Sequence, residues 1–518
     1  MCAGPFRRTF SAHPISMTIE AIPMTKTKQK ASMLPTVLCL GALAVSFLLF
    51  YAADWFVDTY GRIGFDAILF TLTSDLSGTS ANLITDFILD GALPAAVWTA
   101  AVGIVLFLLP PLLRRPLRRL SIALCIALCC ALLGYAAWNT ELDDYLFSTS
   151  RTSDIFEEHY ADPSRTAVTF PEEKRNLIYI LLESMETSYL AREQGGAMAE
   201  NLIPELYDIA RENVNFSHNG DVGGFYCTKG ATWTIGAMVA QTAGIPLKTP
   251  TEDVNMYGKD GSPFLPGVTT LMDLLREEGY YQALMVGSDV TFGGRRSYYS
   301  QHGTDAIYDI RTAWADGIVP NGYFVWWGME DLYLFEYAKQ ELTEMARQDA
   351  PFAFTMLTVD THHIGGYQCV NCRESASGES YDQSISCSSR QVADFLAWIQ
   401  EQDFCENTTV VIVGDHESMD NGYFERMAEP DYQRMVYNCF INAAAEPVRT
   451  DNRSFTAMDL FPTTLAALGC RIQGDRLGLG TNLFSDVPTL AEKMGIHAFE
   501  TEISMASDYY AAQFYNGK

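Results

Sequence analysis

Three long stretches without a single charge constrain this chain more than any other feature. Ala31–Ala53 and Gly91–Leu113 run 23 residues each, and Leu120–Thr140 runs 21. About 20 consecutive apolar residues cross the hydrocarbon core of a bilayer, so each stretch is long enough to span it. Buried helices of a soluble domain rarely run so far without a charge. The first stretch is also too long for the apolar region of a cleaved signal peptide and lacks a small-residue cleavage site, so it reads as an anchor.

Basic residues set the orientation. Arg7, Arg8, Lys26, Lys28 and Lys30 precede the first stretch, and Arg114, Arg115, Arg118 and Arg119 fill the link between the second and third. The loop from Asp54 to Asp90 carries one base, Arg62. Basic loops stay in the cytoplasm. Three crossings then leave everything after Glu141 outside a plasma membrane. The expected organisation is a cytoplasmic tail (1–30), a membrane region (31–140, spans 31–53, 91–113 and 120–140), a connector (141–172) and an extracytoplasmic domain (173–518). Phe65–Leu72 and Ala81–Leu89 are amphipathic and are expected to lie along the outer surface.

The formal charge of −28, from 63 acidic and 35 basic residues, excludes an extended nucleic-acid surface, since neutralising a phosphate backbone needs clustered bases. Seven of the twelve cysteines fall in the outer part: Cys227, Cys369, Cys372, Cys387, Cys405, Cys439 and Cys470. An oxidising compartment favours disulfides, with zinc the rival reading for Cys369-x-x-Cys372.

From Asn176 short apolar runs alternate with helical patterns. Leu177–Leu182, Tyr281–Val286, Phe352–Thr358 and Thr408–Val413 read as buried strands. Gly236–Thr242, Thr269–Glu278, Asp331–Arg347 and Ser389–Gln402 read as helices. This is the pattern of an α/β domain whose sheet is covered on both faces. Active sites in such sheets lie at the carboxyl ends of the strands. Three of these ends carry chemistry: Glu183-Ser184, Asp360-Thr361-His362-His363 and Gly414-Asp415-His416. Carboxylate oxygens beside imidazole nitrogens are suitable metal ligands, although Asp-His dipeptides are common on surfaces.

In order along the chain, four segments resemble the lipoteichoic acid synthase and phosphoglycerol transferase family, within the alkaline phosphatase and sulfatase superfamily. They are Asn176–Ser184, Gly230-Ala-Thr232-Trp-Thr-Ile through Pro246, Val411–His416, and Asp459–Thr463 with Arg476–Gly480. The Trp-Thr-Ile run and the paired histidines are closest to the glucan phosphoglycerol transferases. The resemblance implies a sulfatase-like sheet sandwiched by helices; the three-helix membrane anchor read from the uncharged stretches departs from it, since lipoteichoic acid synthases have more spans. It implies Glu183, Thr232, Asp415 and His416 as metal ligands, with Thr232 also the nucleophile, and Mn²⁺, Mg²⁺ or Zn²⁺ as the ion. His362 is implied as acid and base facing the substrate, with His363 beside it, and Arg295 as a phosphate contact.

Thr234, two residues on, is the alternative register, and either threonine could instead cap the helix that follows. The implied reaction moves phosphoglycerol from phosphatidylglycerol, through a threonine-bound intermediate, to a glycan or polyol acceptor. A phosphodiesterase, a sulfatase and an inactive membrane scaffold are the competing readings. A sulfatase of the usual kind needs Cys or Ser in a Cys/Ser-x-Pro-x-Arg segment, and Cys227-Thr-Lys-Gly-Ala does not provide it.

Overall fold

The computed structural model describes residues 34–62, 64–73, 81–108, 111–249, 263–373, 377–429 and 432–515. The N-terminal bases Arg7 to Lys30 lie outside them.

The uncharged stretches form long helices. Helix α1 covers Leu34–Tyr60, α2 Phe65–Thr73, α3 Leu93–Leu108 and α4 Pro111–Asn139. Three segments are long and apolar enough to cross a membrane: Thr36–Tyr60, Leu83–Val105 and Leu120–Asn139. The second begins earlier than Gly91, because Ala81–Asp86 is helical and a wider helical turn (Phe87–Ala92) joins it to α3. Ala81–Leu89 is thus the head of a spanning helix. Pro111 opens α4, and proline suits the first turn of a helix.

The remaining domain is built on one seven-stranded sheet. Its strands are β1 (Asn176–Leu182), β2 (Gly224–Phe225), β3 (Tyr281–Val286), β4 (Ala306–Tyr308), β5 (Phe352–Leu357), β6 (Thr408–Gly414) and β7 (Val436–Ile441). They lie in the order β2-β7-β6-β1-β5-β3-β4. Five strands, from β6 to β4, are parallel, and β7 joins β6 antiparallel. Strands β2, β4 and β7 are absent from the sequence reading. The first two are too short for periodicity, and Asn438 interrupts the apolar run of β7.

Strand β1 explains the layering. Leu177, Tyr179 and Leu181 enter one apolar cluster, while Ile178, Ile180 and Leu182 enter another on the opposite face. With side chains alternating across a strand, a run apolar at every position must be covered twice. Helix α5 (Thr234–Ala243) and α8 (Leu460–Ala467) supply the first face. Helix α6 (Asp331–Met345) and α7 (Ser380–Gln400) supply the second. Helix α7 starts well before Ser389 because Tyr381 and Ile385 continue its buried stripe through a polar-looking stretch.

The first cluster also takes in Phe56 and Tyr60 from α1 and Ala67, Ile68 and Phe70 from α2. The end of the first candidate span and α2 therefore share a core with this face of the sheet. Phe70 packs on Trp233 with ring centroids 5.8 Å apart.

Ile180 is fully buried, whereas Val448 is 69% exposed. In detergent-solubilised protein, Ile180→Ala is expected to lower stability by about 2–5 kcal/mol, and Val448→Ala to change it by less than about 0.5. Chemical denaturation followed by tryptophan fluorescence measures both. Equal effects would remove the assignment of β1 to the centre of the core.

Candidate active site

Strands β1 and β6 are hydrogen-bonded neighbours in register from Asn176–Thr408 to Leu182–Gly414. Their next residues, Glu183 and Asp415-His416, must therefore emerge together. Ligand atoms of the three lie within 4.8 Å of one another, and all three residues are buried. His416 Nε2 stands 3.3 Å from Asp415 Oδ2 and 3.7 Å from Glu183 Oε1.

The surrounding bonds aim these groups. His416 Nδ1–H donates to the Glu417 carbonyl at 2.7 Å, which leaves the Nε2 lone pair facing the carboxylates. Asp415 Oδ1 accepts the backbone N–H groups of Ser184 and His416, both at 2.8 Å. Ser184 reaches this position with φ +54, a left-handed conformation that is rare for a residue other than glycine. The second oxygen, Asp415 Oδ2, is buried with no hydrogen-bond partner. A buried carboxylate oxygen without a donor is costly, and a divalent cation would satisfy it. Two carboxylates and an imidazole are a suitable donor set for Mn²⁺, Mg²⁺ or Zn²⁺.

The electrostatics agree with a cation between them. Burial first, and then the Glu183 charge, push the Asp415 carboxyl up to about 7. Burial would lower the His416 imidazole, yet the carboxylates of Asp415 and Glu183 outweigh it and raise it.

The threonine segment closes the site from the side. Thr234 is the first residue of α5, and its Oγ1 lies 3.4 Å from His416 Nε2. Thr232 is half-buried in the turn before the helix. Thr228 is fully buried. Gln241 fastens α5 to the ligand strand. Its Nε2 donates to the carbonyls of Gly414 (3.1 Å) and Asp415 (3.4 Å), and its Oε1 accepts from Tyr179 Oη at 2.8 Å. Sequence reasoning passed over Gln241, whose one signal is a polar residue inside an otherwise apolar helix.

Arg295 and Arg296 separate cleanly. Arg296 pairs with Asp309 at 3.1 Å. Arg295 is buried, and its Nε and Nη2 donate to the Phe292 carbonyl, Ser288 Oγ and the Asp289 carbonyl. Burial lowers its guanidinium to about 10, against the charges of Glu183, Asp289, Asp309 and Asp415. It thus remains cationic within the field of the carboxylate cluster.

The paired histidines also differ in their partners. His362 Nδ1–H donates to the His363 carbonyl at 2.8 Å, and its ring lies 4.5 Å from that of Trp327. Burial lowers its pKa to about 4, so the imidazole is neutral at physiological pH. His363 stacks on His362 with ring centroids 4.4 Å apart and also meets α1, its ring 5.4 Å from that of Tyr60 and its ring N–H donating to the Thr59 carbonyl. Asp360 stays outside the cluster as well, its backbone N–H donating to Asp331 Oδ2. His302 is a structural residue, buried between Asp273 (2.7 Å) and the Phe264 carbonyl (3.2 Å).

Known proteins can now be set beside this geometry. A phosphoglycerol transferase I from Xanthomonas axonopodis pv. citri is 30% identical over 468 residues, covering 86% of this chain and 61% of the relative. That from Escherichia coli O127:H6 is 28% identical over 465 residues, covering 87% and 56%. The chain thus spans about three-fifths of the length of the curated relatives it matches. Among solved structures, the lipoteichoic acid synthase LtaP from Listeria monocytogenes is 19% identical with a TM-score of 0.45, over 62% of this chain and 79% of that one. The Sulfatase family model matches residues 175–470, more than half of the sequence, and this span contains Glu183, Thr234, Arg295, His362, Asp415 and His416. The chain belongs to the sulfatase family.

Proposed function

We propose that the chain transfers a phosphoglycerol group from phosphatidylglycerol to a hydroxyl of a glycan or polyol, on the outer side of a plasma membrane that its helices cross. The observation that carries the reading is the approach of Thr234 Oγ1 to His416 Nε2, at 3.4 Å beside two buried carboxylates. On this reading the nucleophile is Thr234, the alternative register to Thr232, and its position at the head of α5 also directs backbone N–H groups toward an incoming phosphate.

Glu183, Asp415 and His416 would hold the divalent ion. When bound, the ion acidifies the threonine hydroxyl and neutralises charge on the phosphoryl oxygens. Thr234 Oγ attacks phosphorus in line and an O–P bond forms. The O–P bond to diacylglycerol breaks. His362, neutral at rest, takes the threonine proton and returns it to the leaving oxygen. In the second step it takes a proton from the acceptor hydroxyl, whose oxygen forms a bond to phosphorus as the Thr234 Oγ–P bond breaks, and it passes that proton to Thr234 Oγ. Arg295 stabilises charge on the non-bridging oxygens throughout.

A lipid donor is supported by the contact between the site and the membrane helices. His363 rests on Tyr60 at the end of α1, and Phe70 of α2 packs on Trp233, which immediately precedes Thr234. A head group leaving the bilayer beside α1 has a short path to the threonine. Basic residues on the opposite ends of the spans support an outward-facing domain. The relatives named phosphoglycerol transferase I support the phosphoglycerol group in particular.

Two outcomes test this. With phosphatidylglycerol labelled in its head group and Mn²⁺, label is expected on a peptide containing Thr234. Thr234→Ala should abolish trapping and lower turnover on the order of 10³-fold or more. Thr232→Ala should retain activity within about tenfold of the parent. The reverse pattern restores the Thr232 register, and free glycerophosphate as sole product with glycan supplied indicates a hydrolase.

Metal binding should also be linked to pH. Asp415, pushed up to about 7, holds a proton below that pH in the metal-free protein, and a cation must displace it. Affinity is expected to fall at least about tenfold per unit as pH drops below about 7, with one or more protons released per ion because His416 must also be neutral to ligate. Calorimetry in buffers of different ionisation enthalpy measures this. An affinity unchanged between about pH 5.5 and 7 would remove Asp415 from the ligand set.

A further inference from the structure

A second cluster of ligating atoms lies outside the carboxylate site. Cys369, Cys372 and Cys387 bring their sulfurs within 4.8 Å of one another, and Cys369 and Cys387 are buried. Cys369 Sγ is 3.6 Å from Cys387 Sγ and 3.8 Å from Cys372 Sγ. No two of the described cysteines are bonded to each other.

Two geometric features separate this cluster from a disulfide with a spare thiol. First, Cys369 stands almost equally far from both partners. Four sulfurs around zinc at about 2.3 Å are spaced about 3.8 Å apart, the edge of the tetrahedron. Both measured separations fall at that edge. Second, N–H groups are aimed at the sulfurs, as they are where thiolates ligate a metal. The backbone N–H of Asn371 donates to Cys369 Sγ at 3.4 Å, and Gln391 Nε2 donates to Cys387 Sγ at 3.5 Å. The Cys-x-x-Cys turn is closed by the Cys372 N–H on the Cys369 carbonyl at 3.1 Å.

We infer that Cys369, Cys372 and Cys387 supply three thiolate ligands of a zinc site. Three soft thiolates select zinc over the harder cations that suit the carboxylate cluster. The inference is independent of the reaction proposed above.

The position of the site gives it a purpose. Residues 363–372 continue from His362 and cross to α7. Gln368 Nε2 donates to Ser384 Oγ (2.9 Å), and Ser384 Oγ donates to the Tyr367 carbonyl (3.0 Å). Zinc would fasten this segment to α7 at its far end, while β5 holds its near end. The loop that carries His362 is then tied at both ends.

The test uses the full-length chain in detergent, reduced and freed of loosely held metal on a chelating resin. One zinc per chain beyond any ion at the carboxylate site is expected, and Cys387→Ser or Cys372→Ser should each remove that equivalent. Cobalt substitution provides a readout that needs no variant. Sulfur-to-cobalt charge-transfer bands in the near ultraviolet arise only at thiolates, and the carboxylate site has none.

Absence of those bands in protein whose thiols titrate as free would overturn the inference. So would a disulfide between any two of the three cysteines in peptides from protein alkylated in its native membrane before any reductant is added. Cobalt bands that persist in the Cys372→Ser and Cys387→Ser variants would do the same, because they would then come from other thiols.

Discussion

The burial of Glu183, Asp415 and His416 at the ends of two adjacent parallel strands is the constraint on which the remaining site depends. Removing two carboxylates from water costs several kcal/mol per ion even after relaxation (roughly). The fold bears this through strand pairing, because β1 and β6 are locked in register along their full length. It reduces the cost with directed donors: the N–H groups of Ser184 and His416 on Asp415, and the hydroxyl of Ser184 on Glu183. What is left uncompensated, Asp415 Oδ2, is the atom a cation would take. Thr234 then comes to the same point because Gln241 ties its helix to the carbonyls of Gly414 and Asp415.

The same arrangement links chemistry to the membrane. Helices long enough to span a bilayer could have been joined to the domain by a tether alone. Instead, Phe56, Tyr60, Ala67, Ile68 and Phe70 are buried in the core that lies beneath the threonine helix. Helix α2 is thus a wall of that core. His363 carries this contact into the domain: its ring lies 5.4 Å from that of Tyr60 and stacks on His362 at 4.4 Å.

A second buried polar network steadies the far side of the ligand loop. Glu186 accepts from the guanidinium of Arg434 and from the Ser418 N–H, and Arg434 also lies over the ring of Phe424. These residues surround Glu417, whose carbonyl fixes the His416 tautomer. Nothing in their sequence spacing announces the network, since Glu186 and Arg434 are far apart along the chain.

Much of this protein was determined by local pattern. The spanning helices follow from uncharged length, and β1, β3, β5 and β6 from continuous apolar runs that only a doubly covered sheet can bury. Glu183, Asp415 and His416 were legible because polar residues that end buried strands converge wherever those strands pair in parallel. Tertiary structure decided the rest. The Gly-x-Thr match points to Thr232, whereas packing brings Thr234 Oγ1 to 3.4 Å from His416 Nε2, a contact that spacing does not announce. Arg295 and Arg296, and likewise His362 and His363, are adjacent and chemically alike. Their partners Asp309 and Tyr60 lie on other elements, so only packing could assign each its direction. The three sulfurs of Cys369, Cys372 and Cys387 meet because α7 begins earlier than its apolar pattern reveals, which carries Cys387 back against the Cys-x-x-Cys turn.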